Sequence, residues 1–352
     1  MRFWPRLTRP AVAAAAALLA RAAVSAWTGA WRTPAVFETD TLVNNVLSGR
    51  GYRIDYLGAT FRSFHSILPY DLLTAAVYAI AGPRAMLLVQ ALLAGALVLV
   101  AARLGARLGE RAAIVAAWLV ALWPPLAYYD AVALDQIGLD ALLFAGALLC
   151  AVRWRERPGA ARAIAAGLAL GLLLHERATF VLMATFAIAW AARGRPRQAL
   201  LAGIVAAAVL APWTIRNAVV HRRFVPTATT AWVNLWKGNN PIATGGELTD
   251  DAVPIVSVEG ALPDGVRGAP ELVQMDRFRA ATIAFWSAQP GRALALYARK
   301  LGQLATLPVA AGRSVPRAPF VAYQLLYILV VLLAVRAWRR RDARTASRTT
   351  RM

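Results

Sequence analysis

Two carboxylates lie close together near the start of the chain, in the segment FETDTLVNNVLSGRGY, residues 37–52. Glu38 and Asp40 are two residues apart, so they would face apart on a helix but can converge on one point just ahead of one. A carboxylate there can act as a base, with or without a bound metal ion. Asp40 or Thr39 can equally cap a short helix, which Gly49 or Gly51 would end. The residues leave both interpretations open.

Positively charged side chains follow along the chain. Arg62 and His65 lie in the same polar region, and both side chains can donate charge-assisted hydrogen bonds to phosphate oxygens. Arg216 ends a long apolar run in the motif PWTIRN, next to Trp213, and an aromatic residue beside a charge also anchors a helix at a membrane surface. These residues are therefore candidates for an anion site, with ordinary interfacial charge as the alternative.

A further carboxylate lies inside an apolar run. Asp140 belongs to YYDAVALDQIGLD, about two turns into the run, and Gln136 shares its helix face at a spacing of four residues. A carboxylate within a membrane helix is functional or is paired with a cation. Arg177 of the motif HERA is the expected partner, because both residues belong near the outer ends of their spans. Structural pairing and a role in a site remain open.

The composition indicates what kind of molecule positions these residues. Of the 352 residues 59% are hydrophobic and 16% are charged, against about 25% charged in soluble domains, and the mean hydropathy is +0.51. The net charge of +21 comes almost entirely from arginines that lie between apolar runs, as the positive-inside rule expects. We therefore predict a multi-pass membrane protein with no nucleic-acid partner. The single cysteine, Cys150, excludes an intrachain disulfide.

The apolar runs predict an all-α polytopic protein with about eight membrane spans, since a spanning helix needs about 20 mostly apolar residues. The runs are 10–27, 84–104, 112–129, 131–152, 163–174, 179–192, 199–215 and 320–335. The first is a retained anchor or a cleaved signal peptide, and Arg21 lies near enough to its end to snorkel. Residues 66–82 are apolar but contain Pro69 and Asp71, so we expect a juxtamembrane or partly inserted helix.

The arginine-rich linkers predict the topology. They are the N-terminus, 103–111, 153–162, 193–197 and the C-terminal tail. All can share the cytoplasmic side if the chain crosses twice between successive linkers. We therefore expect a transmembrane domain over 1–338 with external loops 29–83 and 217–315, followed by a basic cytoplasmic tail over 339–352.

Four stretches in this order resemble one family. They are the acidic position before GRGY, the pair VYAIAG and LLVQALLAGALVLVAARLGARLG, the motif WPPLAYYDAVALDQ, and the most specific one, APWTIRNAVVHRRFVPTATTAWVNLWKGNNPIATGG. The chain resembles the bacterial GT-C glycosyltransferases that include the dolichyl-phosphate-mannose and aminoarabinose transferase relatives. The resemblance implies a GT-C-type helix bundle in the bacterial inner membrane, with its active site on the external face.

The resemblance also implies an activity and its partners. The expected enzyme moves a sugar from a polyprenyl-phosphate carrier, held by membrane lipid, to a lipid, glycan or protein acceptor. Asp40 would be the catalytic carboxylate, with Glu38 as the second candidate. No cofactor is certain, and a divalent metal stays open. A transporter or a non-catalytic membrane scaffold is the alternative, although transporters place polar groups near the bilayer midplane and these candidates gather at one face.

The remaining candidates would bind the donor. Positive charge is needed where the leaving phosphate develops, and the candidates for it are Arg62, His65, Arg177, Arg216 and Lys237. Asp140 is a further candidate for binding substrate. In LWKGNNPIATGG, residues 235–246, Asn239 and Asn240 would hydrogen-bond sugar or phosphate, and the glycines would allow close backbone approach. Alternatively Gly-Asn-Asn-Pro is a simple turn.

Overall fold

The structure is a computed structural model that describes residues 9–64, 68–246, 248, 249, 251, 253–306, 321 and 323–336. Within these residues the chain is mostly helical, which confirms the all-α prediction. The first half contains α1 Pro10–Thr28, α2 Glu38–Leu47, α3 Leu68–Ala81, α4 Ala85–Gly105, α5 Glu110–Ala121, α6 Pro124–Val132 and α7 Ile137–Glu156.

The second half continues with α8 Ala160–Glu176, α9 Val181–Ala191, α10 Pro196–His221, α11 Ala231–Lys237, α12 Glu271–Ala288, α13 Pro290–Thr306 and α14 Tyr323–Arg336. Two short 3-10 turns cover Ala178–Phe180 and Ile255–Ser257. A small antiparallel hairpin pairs β1 Ile54–Tyr56 with β2 Ala59–Phe61. Its two-residue turn places both Leu57 and Gly58 at positive φ, as the tightest hairpin turns require.

Four helices in the described part of the chain are long and apolar enough to cross a membrane: α1, α4, α7 and α10. The helices α5 and α6 form a fifth candidate if the pair, bent by 41°, is one span. The chain therefore has the helices of a membrane protein, and the predicted number of eight spans stays a prediction. The 14 residues of α3 rise about 21 Å at 1.5 Å per residue, which is less than the hydrocarbon core of about 30 Å. We treat α3 as a helix that does not cross.

The chain divides into two compact units. The first comprises Met1–Ala231 with Arg267–Met275, and the second comprises Trp232–Val266 with Asp276–Met352. The first unit contains all the candidate spans named above. The predicted domain 1–338 stays a prediction, and the predicted tail 339–352 lies outside the described residues.

Small residues allow the helices of the first unit to pack closely. In α8, a Cβ atom added to Gly167 would lie 2.5 Å from the backbone oxygen of Ala202, and one added to Gly171 would lie 2.8 Å from Cβ of Val209. Both contacts are with α10. Glycine at these two positions therefore lets the two backbones approach, a common way of associating helices where lipid surrounds them.

A buried ion pair joins α1 to α6. Both Nε and Nη2 of Arg21 donate to Oδ2 of Asp130, at 2.9 and 2.8 Å. The Arg21 guanidinium also donates to the backbone oxygens of Ala17 and Ala121, and both charged side chains are 2% exposed. The prediction that Arg21 snorkels to the surface is therefore wrong: its charge is compensated inside the bundle.

Candidate functional site

We call residues 37–64 the first polar segment. Its first two carboxylates, Glu38 and Asp40, both lie in the first turn of α2. The residue that precedes the helix is Phe37, and no side-chain hydrogen bond caps it. The expectation that Asp40 or Thr39 caps the helix is therefore wrong, and so is the expectation that Glu38 and Asp40 converge ahead of it. On the helix they face apart: Glu38 is exposed, and Asp40 is half-buried. The helix ends at Leu47, ahead of Gly49, which has φ 76°.

Asp40 is held by two donors. The hydroxyl of Tyr78 in α3 donates to its Oδ1 at 2.8 Å, and Nδ2 of Asn44, one turn further along α2, donates to its Oδ2 at 3.1 Å. The side chains of Leu42 and Val43 are buried, and Val43 packs in a cluster with Tyr78, so α2 is fixed beside Asp40. The structure thus fixes the orientation of the Asp40 carboxylate and leaves it partly accessible, as a base requires.

The segment that carries Asp40 is also fixed at its start. The backbone N–H of Ala35 donates to the oxygen of Val132, at the end of α6, and the N–H of Leu134 donates to the oxygen of Ala35. These bonds form a short parallel bridge between Ala35 and Ala133. The entrance to α2 is therefore attached to the helical bundle, although it lies between elements that are far apart in sequence.

Asp71 is a second carboxylate of this region, and the sequence interpretation did not include it in the site. It lies in α3, is 2% exposed, and accepts a hydrogen bond of 2.5 Å from the hydroxyl of Tyr52. Burial raises the pKa of Asp71 to about 7, although hydrogen bonds from Tyr52 and Thr39 favour its charged form. The signal that could have identified it was a carboxylate within an otherwise apolar helix.

Tyr52 links this carboxylate to α10. Its ring packs edge-on against Trp213 with centroids 4.8 Å apart, and the Arg216 guanidinium lies 4.6 Å from the Trp213 centroid and 5.7 Å from that of Tyr52. Burial, followed by the charge of Asp71 and the hydrogen bond to it, raises the pKa of Tyr52. Tyr52 therefore stays protonated and acts as a donor to Asp71.

Arg216 attaches the first polar segment to α10. Its Nη1 donates to the backbone oxygen of Arg62 at 2.5 Å, to Oγ of Ser63 at 3.0 Å and to Oδ1 of Asn217 at 3.0 Å. Asn217 in turn donates to the backbone oxygens of Val225 and Thr227. Arg216 thus has protein acceptors on one face, and its half-buried side chain is positioned by them.

Glu271 was not among the predicted site residues, yet it organises the end of this segment. Its carboxylate accepts from the backbone N–H groups of Arg62 and Ser63, at 2.6 and 3.0 Å, and from the hydroxyl of Thr229 at 2.6 Å. Nε2 of His221 lies 3.7 Å from it and 2.8 Å from Oγ of Ser63. Because Glu271 is more than 200 residues from Arg62, no local sequence pattern could reveal the contact.

Positive charge gathers beside this carboxylate. The Arg62 side chain is exposed and lies within electrostatic range of both Arg216 and His221. Two guanidinium groups and an imidazole therefore share one region of the first unit with Glu271. Such a group can bind phosphate oxygens. His65, the other candidate of this segment, lies outside the described residues.

The predicted ion pair between Asp140 and Arg177 is confirmed. Nε of Arg177 donates to Oδ2 of Asp140 at 2.6 Å, and the Gln136 amide lies between the Asp135 carboxylate and the Arg177 guanidinium. Neighbouring Glu176 is 1% exposed. These residues give the first turn of α7 a structural pairing, and a role for Asp140 or Arg177 in binding substrate stays a prediction.

Glu176 ends α8 with a buried carboxylate that sequence reasoning did not select. Its Oε2 accepts from the backbone N–H of Tyr70 at 3.1 Å, whereas its Oε1 has no hydrogen-bond partner within the described part of the chain. Asp71 and Asp140 both lie within electrostatic range of it. Three acidic side chains thus approach one another near the first polar segment.

The stretch LWKGNNPIATGG belongs to the second unit. It begins in the last turn of α11 and continues as a turn after Lys237. Nδ2 of Asn240 donates to the backbone oxygens of Trp236 and Lys237, at 2.8 and 3.2 Å, and its Oδ1 accepts from the N–H of Ile242 at 2.9 Å. Asn240 is 1% exposed. Its amide therefore has local partners on both sides, as in the turn interpretation, and its contact with a sugar stays a prediction.

Asn239 has a similar environment. Its Nδ2 donates to the backbone oxygen of Leu235 at 2.7 Å, and its Oδ1 accepts from Nζ of Lys300 at 3.2 Å. A Cβ atom at Gly238 would lie 3.1 Å from the same Nζ, so this glycine leaves room for the lysine. Burial lowers the pKa of Lys300. Lys237, the last residue of α11, is half-buried and stays a predicted phosphate ligand.

The positions of the acidic, histidine and cysteine side chains bear on metal binding. The described parts of the chain bring together no group of three or more His, Cys, Asp or Glu side chains that could hold a metal ion. Glu38 and Asp40 face apart on α2, so their positions do not support a metal ion bound between them.

Known proteins offer no further guide to this site. The chain matches no protein-family model, and comparisons with curated proteins and with solved structures found no match either.

Proposed function

We propose that the chain is a membrane glycosyltransferase. It would move a sugar from a polyprenyl-phosphate carrier to a hydroxyl of a glycan, lipid or protein acceptor on the outer face of the membrane. The apolar helices would keep the carrier's long chain in lipid, while the first polar segment receives its phosphate and sugar. The resemblance described above supports this proposal together with the arrangement of the first unit.

One observation carries the proposal. The first unit holds a partly accessible carboxylate, Asp40, and the guanidinium groups of Arg62 and Arg216, with the imidazole of His221 beside them. One continuous set of contacts joins these groups. Tyr52 joins the two sides, because it donates to Asp71 at 2.5 Å and packs under the Arg216 guanidinium. Thr39, which stabilises the charged form of Asp71, is the residue next to Asp40.

These two groups suit the two ends of a glycosyl transfer. The oxygen of the acceptor hydroxyl would form a bond to the anomeric carbon of the donor sugar and release its proton to the Asp40 carboxylate. The bond between that carbon and the phosphate oxygen would break, and the electron pair would leave with polyprenyl phosphate. The positive group would stabilise the charge that develops there.

The roles differ among the positive residues. Arg62 has an exposed side chain and is the best placed to bind the phosphate directly. Arg216 makes its shorter hydrogen bonds to the protein through Nη1, donates through Nη2 to the backbone oxygen of Tyr52 at 3.5 Å, and lies against two aromatic rings. It therefore orients the segment as well as supplying charge. The mechanism proposed above does not use the other residues predicted from the sequence, whose roles in a site stay predictions: Glu38, His65, Asp140, Arg177, Lys237, Asn239 and Asn240.

The test is release of free polyprenyl phosphate. Purified protein is incubated in detergent with a panel of polyprenyl-phosphate sugars and a mixture of glycan, lipid and peptide acceptors. We expect one donor to yield polyprenyl phosphate and a glycosylated acceptor in equal amounts, and Asp40→Asn to lower the yield of both about 10²–10⁴-fold. If no donor in the panel is consumed by the parent protein, the proposal is wrong.

A polytopic transporter or flippase is the second candidate. The observation that favours it is the buried Arg21 and Asp130 pair, because charged residues inside membrane helices often mark the path of a transported substrate. Proteoliposomes loaded with the same donors separate the two functions. A transporter would move the intact polyprenyl-phosphate sugar across the bilayer, whereas the transferase would cleave it.

A further inference from the structure

A basic cleft lies where three helices of the first unit end. It has a volume of about 540 Å³ and is lined by Arg107, Arg153, Glu156, Arg157 and Arg162. Arg107 follows α4, and Arg153 and Glu156 belong to the last turn of α7. Arg157 directly follows α7, and Arg162 lies in the first turn of α8. None of these residues takes part in the site proposed above.

The position of the cleft indicates that it borders the membrane. Both α4 and α7 are candidate spans, and the 20 residues of α7 rise about 30 Å. Asp140 lies in the first turn of α7 and Glu156 ends it. The cleft is therefore at the opposite membrane surface from the Asp140 and Arg177 pair, on the side where the arginine-rich linkers gather.

The charge of the cleft is strongly unbalanced. Four guanidinium groups face a single carboxylate, and that carboxylate, Glu156, pairs with Arg107. The side chains of Arg153 and Arg157 make no hydrogen bond or ion pair with other described residues, and both residues are exposed. The helix α8 adds to the positive potential, because its N-cap is Gly159 and no side chain caps it. The cleft therefore holds uncompensated guanidinium groups.

We propose that this cleft binds the phosphate group of an anionic membrane lipid. One guanidinium group can donate two parallel hydrogen bonds to two phosphate oxygens. Basic pockets at the ends of membrane helices are suited to lipid head groups. Because the cleft lies at the ends of α4 and α7, the acyl chains of the lipid would pack beside these two spans. This binding is independent of glycosyl transfer, and it assigns a lipid site to the face of the protein opposite the proposed active site.

The experiment measures binding to the purified full chain in a neutral detergent by native mass spectrometry. The probes are phosphatidylglycerol, phosphatidylcholine and inorganic phosphate. The double variant Arg153→Gln with Arg157→Gln removes two cleft charges that have no partner to lose. The matched control, Arg111→Gln with Arg193→Gln, removes two exposed arginines of the same surface that do not line the cleft.

We expect phosphatidylglycerol to bind the parent more tightly than phosphatidylcholine does. The cleft variant should weaken this binding about tenfold to a hundredfold, since each arginine can make a charge-assisted hydrogen bond, and the control pair should match the parent. Glu156→Gln should tighten binding, because it removes the competing carboxylate from Arg107. If inorganic phosphate binds the cleft as tightly as the lipid does, the site serves a free anion and the lipid assignment is wrong.

Two further results would overturn the proposal. One is an equal loss of phosphatidylglycerol binding in the cleft and control variants, which would mean that total surface charge decides. The other is unchanged binding in the cleft variant. Melting temperatures of all variants show whether each is folded. If the double variant does not fold, Glu156→Gln still tests the proposal, because it raises the net positive charge of the cleft and should tighten lipid binding.

Discussion

Two polar stretches interrupt this apolar chain, and they are built differently. The first, around Asp40 and Tyr52, is held by partners far away in sequence, among them Tyr78, Arg216 and Glu271. The second, LWKGNNPIATGG, has amides that bond largely to its own backbone. Polar groups satisfied by their own turn need no ligand, whereas a network assembled from distant elements fixes side chains in one geometry. The first stretch is therefore the better candidate for a site.

The largest expected effect is on Asp40. Asp40→Asn keeps an oxygen that can accept from Tyr78 but removes the base, so turnover should fall about 10²–10⁴-fold with little change in melting temperature. The measurement is release of polyprenyl phosphate. The matched control is Glu38→Gln, since Glu38 lies two residues earlier and is exposed. Its turnover should stay near that of the parent. Loss of activity in the control with normal turnover in Asp40→Asn would exchange the two roles.

The next effect is a pH dependence of stability. Because burial raises the pKa of Asp71 to about 7, the folded protein holds a proton that the unfolded chain releases near pH 4. Protonated Asp71 therefore contributes fully to the free energy of unfolding below about pH 4. This contribution, at most about 4 kcal/mol, is lost as the pH rises to about 7. Thermal unfolding between pH 4 and 8 should show this fall in the parent and a smaller one in Asp71→Asn. Parallel curves would contradict it.

Glu271 tests whether long-range contacts hold the first stretch. The Glu271 carboxylate accepts three hydrogen bonds with its two oxygens, whereas the amide in Glu271→Gln has one oxygen. The substitution should therefore lower the free energy of unfolding by about 1.5–3 kcal/mol. Limited proteolysis should then cut more readily near Arg62 and Ser63. The same change at exposed Glu110 is the control and should leave both the stability and the cleavage pattern unchanged. Equal behaviour of the two variants would remove the distinction between the stretches.

The smallest effects belong to the second stretch. Asn240→Ala removes hydrogen bonds of a local turn and should cost about 1 kcal/mol of stability, with turnover per folded molecule unchanged for two donors that differ in the sugar. Half-buried Asn45, whose amide donates to the Arg53 backbone oxygen, offers a comparable substitution to alanine in the first stretch. A changed choice of donor in Asn240→Ala would instead make LWKGNNPIATGG part of the site, as the sequence resemblance implies.

Features that depend on near neighbours could be predicted from the sequence. Apolar runs and arginine-rich linkers indicated a helical membrane protein, because hydrophobic length and periodicity are local properties. The Asp140 and Arg177 pair was also predictable, since the arginine-rich linkers predict that both residues lie near the same side of the membrane. Asp40 could be selected as a carboxylate at the start of a short helix, although its exact place in the first turn could not.

The tertiary structure alone decided which distant groups meet. Arg21 meets Asp130 across 109 residues, and Glu271 meets Arg62 across 209. The contact between Tyr52 and Asp71 likewise has no local signature. Burying a polar group is costly unless a partner is present, so packing must supply one, and a linear pattern shows the need for a partner without showing its identity. The sequence by itself therefore determined the helical membrane character and the candidate residues, and the packing of the helices determined which of them share a site.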